Sequence, residues 1–280
     1  MPLDKHILLI DCPDETGLVY KITGVLYRHS YNIVTNNEFV DREARHFFMR
    51  TEFAGDQNPA IVLDELRAVL PSSANLRLAN TGKRRIVVLA TKEYHCLGDL
   101  LLRHAYAELN AEMLAVISNH NTLASLAQKF DVPFHYVSHA NIERSAHEAA
   151  VSQLVAQYEP EYVVLAKYMR ILSPAFVAHY PNQIINIHHS FLPAFIGASP
   201  YRQAFERGVK LIGATAHFVT DELDKGPIIA QDVIRIDHTY SANDLAQIGH
   251  DVEKITLAKA LKLVFEERIF LSGNRAIIFE

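Results

Sequence analysis

Five polar residues in the second half of the sequence have side chains that could do chemistry: Asn186, His188, Ser190, His217 and Asp224. They stand in or just after short apolar runs of the kind that form buried strands. In open α/β sheets, ligands bind at the loops that leave the carboxyl ends of strands. An amide and an imidazole can stabilise an oxyanion, and a carboxylate can orient the imidazole or deprotonate water. Residues 184–231 are therefore the predicted active site.

Three neighbouring residues fit a structural role as well as a chemical one: His189, Ser190 and His217. The histidines at 188, 189 and 217 could form a zinc site, since imidazoles are common zinc ligands. Adjacent histidines on a strand point to opposite faces, however, and no cysteine or H-x-x-x-H spacing accompanies them. We therefore expect no metal at this site.

The bulk composition predicts a well-packed protein of two domains, or of one large one. The chain has 280 residues, of which 49% are hydrophobic and 21% charged, so it can bury a substantial core. The formal charge is -5 and the basic residues are scattered, which argues against a nucleic-acid partner. Cys12 and Cys96 belong to no paired-cysteine motif and are predicted to be reduced thiols.

The amino terminus has the features of neither a secretory signal nor a membrane anchor. The short apolar run at 7–10 is followed at once by Asp11, Asp14 and Glu15. No apolar run approaches the roughly 18 residues that a membrane span needs. We expect a soluble, cytoplasmic protein with no membrane partner.

The first eighty residues predict a small α+β domain. Their apolar pattern indicates the order β-α-β-β-α-β, which is ferredoxin-like. The stretch D-C-P-D-E-T-G-L-V-Y-K-I-T-G-V-L, which begins at Asp11, resembles the opening of an ACT domain. That resemblance implies pairing with a second copy and binding of an amino-acid effector. A plain dimerisation domain without a ligand remains the alternative.

The rest of the chain predicts a second, larger domain. The polar run T-G-K-R-R at 81–85 marks a linker between a domain at 1–80 and one at 86–280. Strands alternate with helices from Ile86 onward, which is typical of a doubly wound, mostly parallel α/β sheet. The turn that follows the first predicted strand of this domain reads T-K-E-Y-H, and it lacks the glycines of a phosphate-binding turn. We therefore expect no nucleotide at this turn.

Three motifs in order resemble the folate-dependent formyl transferases: K-Y-M-R-I-L from Lys167, N-I-H-H-S-F-L-P from Asn186 and H-F-V-T-D-E-L-D-K-G-P from His217. The resemblance implies that Asn186, His188 and Asp224 are catalytic. It also implies a folate pocket, formed by Met169, Arg170, Ile171, Leu172, Thr220, Asp221, Glu222 and Leu223.

An ACT-like domain before the catalytic domain, with the stretches H-D-V-E-K-I-T-L-A-K-A from His250 and S-G-N-R-A-I-I-F from Ser272, resembles the formyltetrahydrofolate deformylase family in particular. The resemblance implies hydrolysis of 10-formyltetrahydrofolate to formate and tetrahydrofolate, with water in place of an amine acceptor and no permanently bound cofactor. It implies that the formate supplies purine synthesis, with glycine or methionine as an effector and a homodimer or homotetramer as the assembly. Which of His188 and Asp224 activates the water stays open. The alternatives are a formyl transferase acting on an amine, of the glycinamide ribonucleotide type, and a non-catalytic folate or amino-acid sensor.

Overall fold

The structure, a computed structural model, describes residues 4–79, 82–193 and 200–280. The chain divides into two compact units, one formed by residues 1–82 with 279–280 and the other by residues 83–278. The predicted boundary at residues 80 and 81 lies outside the described residues. The last residues of the predicted linker at 81–85 belong to the second unit, because the first strand of that unit begins at Arg84.

The first unit has the predicted element order. Its elements are β1 Lys5–Pro13, α1 Leu18–Arg28, β2 Asn32–Asp41, β3 His46–Ala54, α2 Ala60–Val69 and β4 Asn75–Leu78. The strands form an antiparallel sheet in the order β2-β3-β1-β4. Helix α1 begins after Gly17, whose φ of 89° suits a residue without a Cβ. Its buried positions, Leu18, Ile22, Val25 and Leu26, repeat at helical spacing and join the core of this unit.

The second unit begins with alternating strands and helices, as the pattern predicts. The elements of its first part are β5 Arg84–Ala90, α3 His95–Ala105, β6 Ala111–Ser118, α4 Ala124–Gln128, β7 Phe134–Tyr136, α5 Arg144–Tyr158, β8 Tyr162–Ala166 and α6 Pro174–Ala178. Those of its second part are β9 Ile184–His188, α7 Pro200–Arg207, β10 Leu211–Phe218, β11 Ile228–Arg235, α8 Ala242–Phe265, β12 Ile269–Ser272 and β13 Arg275–Ile278.

The large sheet has the strand order β11-β10-β9-β8-β5-β6-β7. The pairs from β9 through β8, β5 and β6 to β7 are parallel, and β10 and β11 extend the sheet in antiparallel pairing. The predicted mostly parallel α/β fold is confirmed. Strand β8 is buried along almost its whole length, which explains its continuous apolar sequence. The chain winds outward from β5 in both directions, so the crevice beside the ends of β5 and β8 lies at a topological switch point.

Helix α8 connects the edge of this sheet to the terminal hairpin. It begins with a capping box, in which the Ser241 Oγ accepts from the Asp244 backbone N–H and the Asp244 carboxylate accepts from that of Ser241. In that hairpin, β13 pairs with β12 through a tight turn at Gly273. No helix in the described part of the chain has both the length and the hydropathy that a membrane span needs.

Candidate active site

Two antiparallel strands bring three of the predicted polar residues to one face of the sheet. Asn186 and His188 are two residues apart on β9, so their side chains lie on the same face. The register of β9 against β10 pairs Asn186 with His217 and His188 with Thr215. The Asn186 Nδ2 therefore lies 3.2 Å from the His217 Nε2. The His217 Nδ1 donates to the Phe218 carbonyl oxygen at 2.8 Å, which fixes the orientation of the buried ring.

Asp224 reaches this group from the loop between β10 and β11. It adopts a left-handed backbone conformation with φ of 55°, which an aspartate tolerates better than most residues. The loop returns to the sheet at Gly226, where a methyl group would lie 1.8 Å from the Phe218 carbonyl oxygen. The Asp224 Oδ2 lies 3.3 Å from the His188 Nδ1, and its Oδ1 lies 3.7 Å from the His217 Nε2. The predicted amide, imidazole and carboxylate thus meet at one place.

The charge on Asp224 is stabilised by its neighbours. Burial raises the pKa of this carboxyl, but the His188 and His217 rings outweigh burial and hold the pKa well below its ordinary value. The second ring nitrogen of His188, Nε2, points away from Asp224; it is buried and has no hydrogen-bond partner among the described residues. The arrangement therefore holds His188 through one ring nitrogen and leaves the second available to a ligand.

A cavity of about 320 Å³ opens onto this group. Its lining includes the catalytic candidates Asn186, His188 and Asp224. It also includes seven of the predicted folate contacts, namely Met169, Arg170, Ile171, Leu172, Thr220, Asp221 and Leu223. The eighth, Glu222, does not line the cavity, because its carboxylate pairs with Lys225 at 2.5 Å and both side chains are exposed. The volume is in the range typical of small-molecule sites.

Two hydrogen bonds from other elements hold the cavity wall that follows β8. The Thr91 Oγ1, just beyond β5, accepts from the Met169 backbone N–H at 3.0 Å. The Arg144 Nη2, at the start of α5, donates to the Ile171 carbonyl oxygen at 2.7 Å. Met169 and Ile171 are 55% and 53% exposed, so this wall presents apolar surface to an incoming ligand.

Two further cavity residues were not singled out for catalysis by the sequence, Lys167 and His189. Lys167 is buried just after β8 and is the first residue of the K-Y-M-R-I-L motif, which could have drawn attention to it. The expectation that His188 and His189 point to opposite faces is wrong, because β9 ends at His188 and the two rings stack with centroids 5.0 Å apart. Burial, followed by the charge of Lys167, lowers the pKa of His189 to about 4.

Groups with metal-ligand geometry lie beside the cavity rather than at the histidines considered from the sequence. Within the described residues, ligand atoms come within 4.8 Å of one another in two overlapping sets, Glu93 with His95 and His250, and His95 with Cys96 and Glu253. The Lys167 Nζ lies 3.5 Å from Glu93 and 3.2 Å from Glu253. The lysine thus supplies a positive charge to both carboxylates.

Comparison with known proteins agrees with this division of the chain. Residues 84–261 match the formyl transferase family, and residues 6–71 match the ACT domain family. The formyltetrahydrofolate deformylase of Haemophilus influenzae is 54% identical over 276 residues, which cover 99% of this chain and 99% of that protein.

Solved structures are similar to this chain either over nearly its whole length or over about three quarters of it. A formyltetrahydrofolate deformylase from Pseudomonas syringae has a TM-score of 0.93 at 40% identity, covering 99% of this chain and 95% of that one. A glycinamide ribonucleotide transformylase from Symbiobacterium toebii has a TM-score of 0.68 at 32% identity, covering 74% of this chain and 98% of that one. The similarity to the deformylases extends over nearly the full length, and the chain belongs to the formyltetrahydrofolate deformylase family.

Proposed function

We propose that the chain hydrolyses 10-formyltetrahydrofolate to formate and tetrahydrofolate. The relatives that carry the deformylase name align with 99% of the chain, whereas the transformylase from Symbiobacterium toebii aligns with 74%. Agreement over both units supports a deformylase rather than a transferase. It also makes a non-catalytic sensor the weaker alternative, because Asn186, His188 and Asp224 are all present and close together.

The observation that carries the proposal is the contact between His188 and Asp224 beside a buried ring nitrogen that has no partner in the described chain. Water attacks the formyl carbon, and the formyl oxygen becomes an oxyanion. Asn186 and His188 stabilise that charge by hydrogen bonding. The attacking water gives a proton to the base, the bond to the folate nitrogen breaks as this proton passes to that nitrogen, and the formic acid released ionises to formate.

The charge state of Asp224 favours one of the two assignments for the base. A carboxylate whose pKa lies well below its ordinary value is a weak base, because it binds a proton poorly. We therefore assign proton transfer to His188. Asp224 holds the ring in place and stabilises the imidazolium that forms.

The test is an assay of the purified chain with 10-formyltetrahydrofolate and no amine. Formate and tetrahydrofolate should appear in equal amounts, and glycinamide ribonucleotide should not accelerate consumption of the substrate. Formyl transfer to glycinamide ribonucleotide at a faster rate than formate release would favour the transferase. Folate binding without turnover would favour the sensor.

We also propose that the first unit binds an amino-acid effector, glycine or methionine. The match of residues 6–71 to the ACT family supports this proposal. A cavity of about 540 Å³ in this unit has charges of both signs in its lining, including Asp14, Glu15, Glu38 and Arg42. Such charges suit an ammonium and a carboxylate group. Titration calorimetry with each amino acid, followed by the formate assay at saturation, tests both binding and regulation.

The assembly and cellular setting complete the proposal. ACT domains commonly pair, so a homodimer or homotetramer is expected, and light scattering of the purified chain measures its mass. Cys12 and Cys96 are buried and form no disulfide, which supports work in the reducing cytoplasm. There the released formate would supply purine synthesis, with no permanently bound cofactor, since water is the co-substrate.

A further inference from the structure

The cavity wall that follows β8 begins with a backbone turn that few residues adopt. Strand β8 ends at Ala166, and the next residue, Lys167, has a left-handed conformation with φ of 60°. Glycine adopts this conformation freely, whereas a residue with a Cβ is strained in it and keeps it only where the surrounding contacts enforce it. The turn leads the chain from the sheet into residues 168–172, all of which line the cavity. Contacts of Lys167 with other elements must therefore hold this turn.

Two carboxylates from different elements bind the ammonium group of Lys167. The Lys167 Nζ lies 3.2 Å from the Glu253 Oε2, on α8, and 3.5 Å from the Glu93 Oε2, between β5 and α3. Lys167 is 4% exposed and Glu253 is fully buried, so water screens their ion pair very little. The lysine side chain therefore connects the turn after β8 to two other elements of the sheet unit.

Glu253 is itself fixed by further contacts. The Glu253 Oε2 lies 2.7 Å from the His95 Nε2, and the Tyr201 hydroxyl donates to the Glu253 Oε1. Burial raises the pKa of Glu253, but the hydrogen bond from His95 and the charge of Lys167 outweigh burial and lower the pKa to about 2. A buried polar group whose hydrogen-bonding capacity is filled in this way is rigid. Glu253 thus gives the ammonium group of Lys167 a fixed point of attachment.

The charged end of Lys167 is bound outside the cavity lining, whereas its backbone begins the cavity wall. Lys167 lines the cavity, but neither Glu93 nor Glu253 does. Two residues further on, the Met169 backbone N–H donates to the Thr91 Oγ1 at 3.0 Å. The wall is therefore held at its first residue by an ion pair and at its third by a hydrogen bond, and both contacts exist without a ligand.

We propose that Lys167 is a positioning residue for the folate, because its anchored side chain fixes the left-handed turn that directs residues 168–172 toward the substrate. This inference rests on the proposed hydrolase function, since it takes 10-formyltetrahydrofolate as the ligand of the wall. A wall that is ordered before binding avoids the entropic cost of ordering it on the ligand. The proposed catalytic groups lie on β9 and on the loop after β10, so the anchor acts on substrate affinity more than on turnover.

The experiment separates substrate affinity from turnover in the full chain. The double variant Lys167→Met with Glu253→Gln removes both charges together, because a buried charge without its partner is strongly destabilising. Formate release gives KM and kcat for 10-formyltetrahydrofolate, and calorimetry gives the dissociation constant of tetrahydrofolate. The control variant is Lys129→Met, on the exposed surface after α4.

The double variant should raise KM and the dissociation constant of tetrahydrofolate by on the order of tenfold, with kcat within about threefold of the wild type. Lys129→Met should match the wild type in all three quantities. A merely structural role would lower the fraction of active protein, and with it kcat, while KM and the dissociation constant stayed unchanged. A double variant that melts cooperatively and keeps the wild-type KM and dissociation constant would therefore overturn the proposal.

Two further variants separate the anchor from the backbone conformation. Lys167→Arg keeps a cation for both carboxylates, and its KM should stay within about threefold of the wild type. Lys167→Gly adopts the left-handed conformation without strain but has no side chain to anchor it. Combined with Glu253→Gln, it should raise KM at least as much as the methionine double variant. A wild-type KM in this glycine variant, or a KM in Lys167→Arg as high as in the methionine double variant, would reject the anchor.

The wild type alone gives a test that does not depend on the folding of a variant. Without folate, hydrogen exchange of the Met169 backbone amide should be slower than in an unstructured chain by on the order of tenfold or more. Exchange at the unstructured rate would show that the wall is not ordered before binding, contrary to the proposal. Failure of the hydrolase proposal has a different signature, since the wild type would then release no formate when no amine is present, whereas exchange and calorimetry do not depend on turnover.

Discussion

Two buried clusters of histidine and carboxylate lie beside the same cavity, and they differ in what they leave unoccupied. In the proposed catalytic cluster, Asp224 holds His188 through one ring nitrogen, and the other nitrogen has no partner in the described chain. In the anchoring cluster, both oxygens of Glu253 accept hydrogen bonds, from His95, Lys167 and Tyr201. Similar residue types therefore serve chemistry where hydrogen-bonding capacity remains for a ligand, and serve positioning where that capacity is filled.

The two clusters are also built on different supports. Asp224 stands on a loop in a left-handed conformation, two residues before the close return of the chain at Gly226. Glu253 stands inside a long helix, where Gly249 lies one turn before it. The catalytic carboxylate is thus placed by loop geometry, and the anchoring carboxylate by helix packing.

The largest expected effect comes from breaking the catalytic cluster. Asp224→Asn keeps the shape of the side chain but removes the charge that orients His188. We expect turnover to fall by about 10³-fold or more, with folate affinity nearly unchanged. Formate release and calorimetric folate binding measure the two quantities. Asp64→Asn, at a 79% exposed side chain of α2, is the control, and equal turnover in both variants would remove Asp224 from the mechanism.

The anchoring cluster can be broken without touching a charge. A methyl group on Gly249 would lie 2.1 Å from the ring of Tyr201, so Gly249→Ala should displace this ring and its hydrogen bond to Glu253. We expect a loss of about 1–3 kcal/mol in the free energy of unfolding, with a smaller loss of turnover than Asp224→Asn gives. Urea denaturation measures the free energy of unfolding, and the formate assay measures turnover.

A second glycine in a helix serves as the control for this variant. In Gly98→Ala the nearest new contact is at 3.9 Å, an ordinary van der Waals distance. Alanine is the better helix former, so this variant should be at least as stable as the wild type. If Gly249→Ala proves equally stable, the close packing of Tyr201 does not hold the anchoring cluster.

A third prediction concerns the pH dependence of stability. It tests His189, which lines the cavity with Lys167 and stacks on His188. The pKa of His189 is about 4 in the folded chain and about 6.5 in an unfolded one. Between these values the unfolded chain binds more protons, so stability rises with pH and is lost on acidification. His189→Gln should remove on the order of 1 kcal/mol of the stability lost from pH 7 to pH 5.

Urea denaturation at both pH values measures this difference. Exposed His238 provides the control, and His238→Gln should follow the wild-type profile. Other histidines with lowered pKa values, including His147 and His250, contribute to the wild type and the variants alike. If His189→Gln and the wild type lose the same stability from pH 7 to pH 5, His189 does not titrate between these pH values.

The smallest effect is expected next to the catalytic cluster but outside the cavity. Lys225 follows Asp224 and pairs with Glu222 at the surface, where its side chain is 70% exposed. Exposed ion pairs contribute little, so Lys225→Ala should leave kcat and KM within about twofold of the wild type. Steady-state kinetics checks this. A tenfold rise in KM would instead place Lys225 on the substrate.

Local sequence was enough for the parts of the site that one strand or one loop carries. Asn186 and His188 share a face because residues two apart in a strand always do. The loop after β8 was predicted as a cavity wall only through the resemblance to the formyl transferases, and it does line the cavity. Glu222 was assigned to the same pocket by its place in the motif and does not line the cavity, since position in a motif does not determine which way a loop side chain turns.

The sequence by itself determined the two units, the strand that carries the amide and the imidazole, and the chemical types available for catalysis. Only the tertiary structure decided that His217 stands beside Asn186, because the pairing of β9 with β10 sets that neighbour. It alone decided that Lys167 is anchored by Glu253, on a helix far along the chain. Periodicity predicts which face of an element is buried, but contacts between distant elements depend on register and packing, which no local pattern encodes.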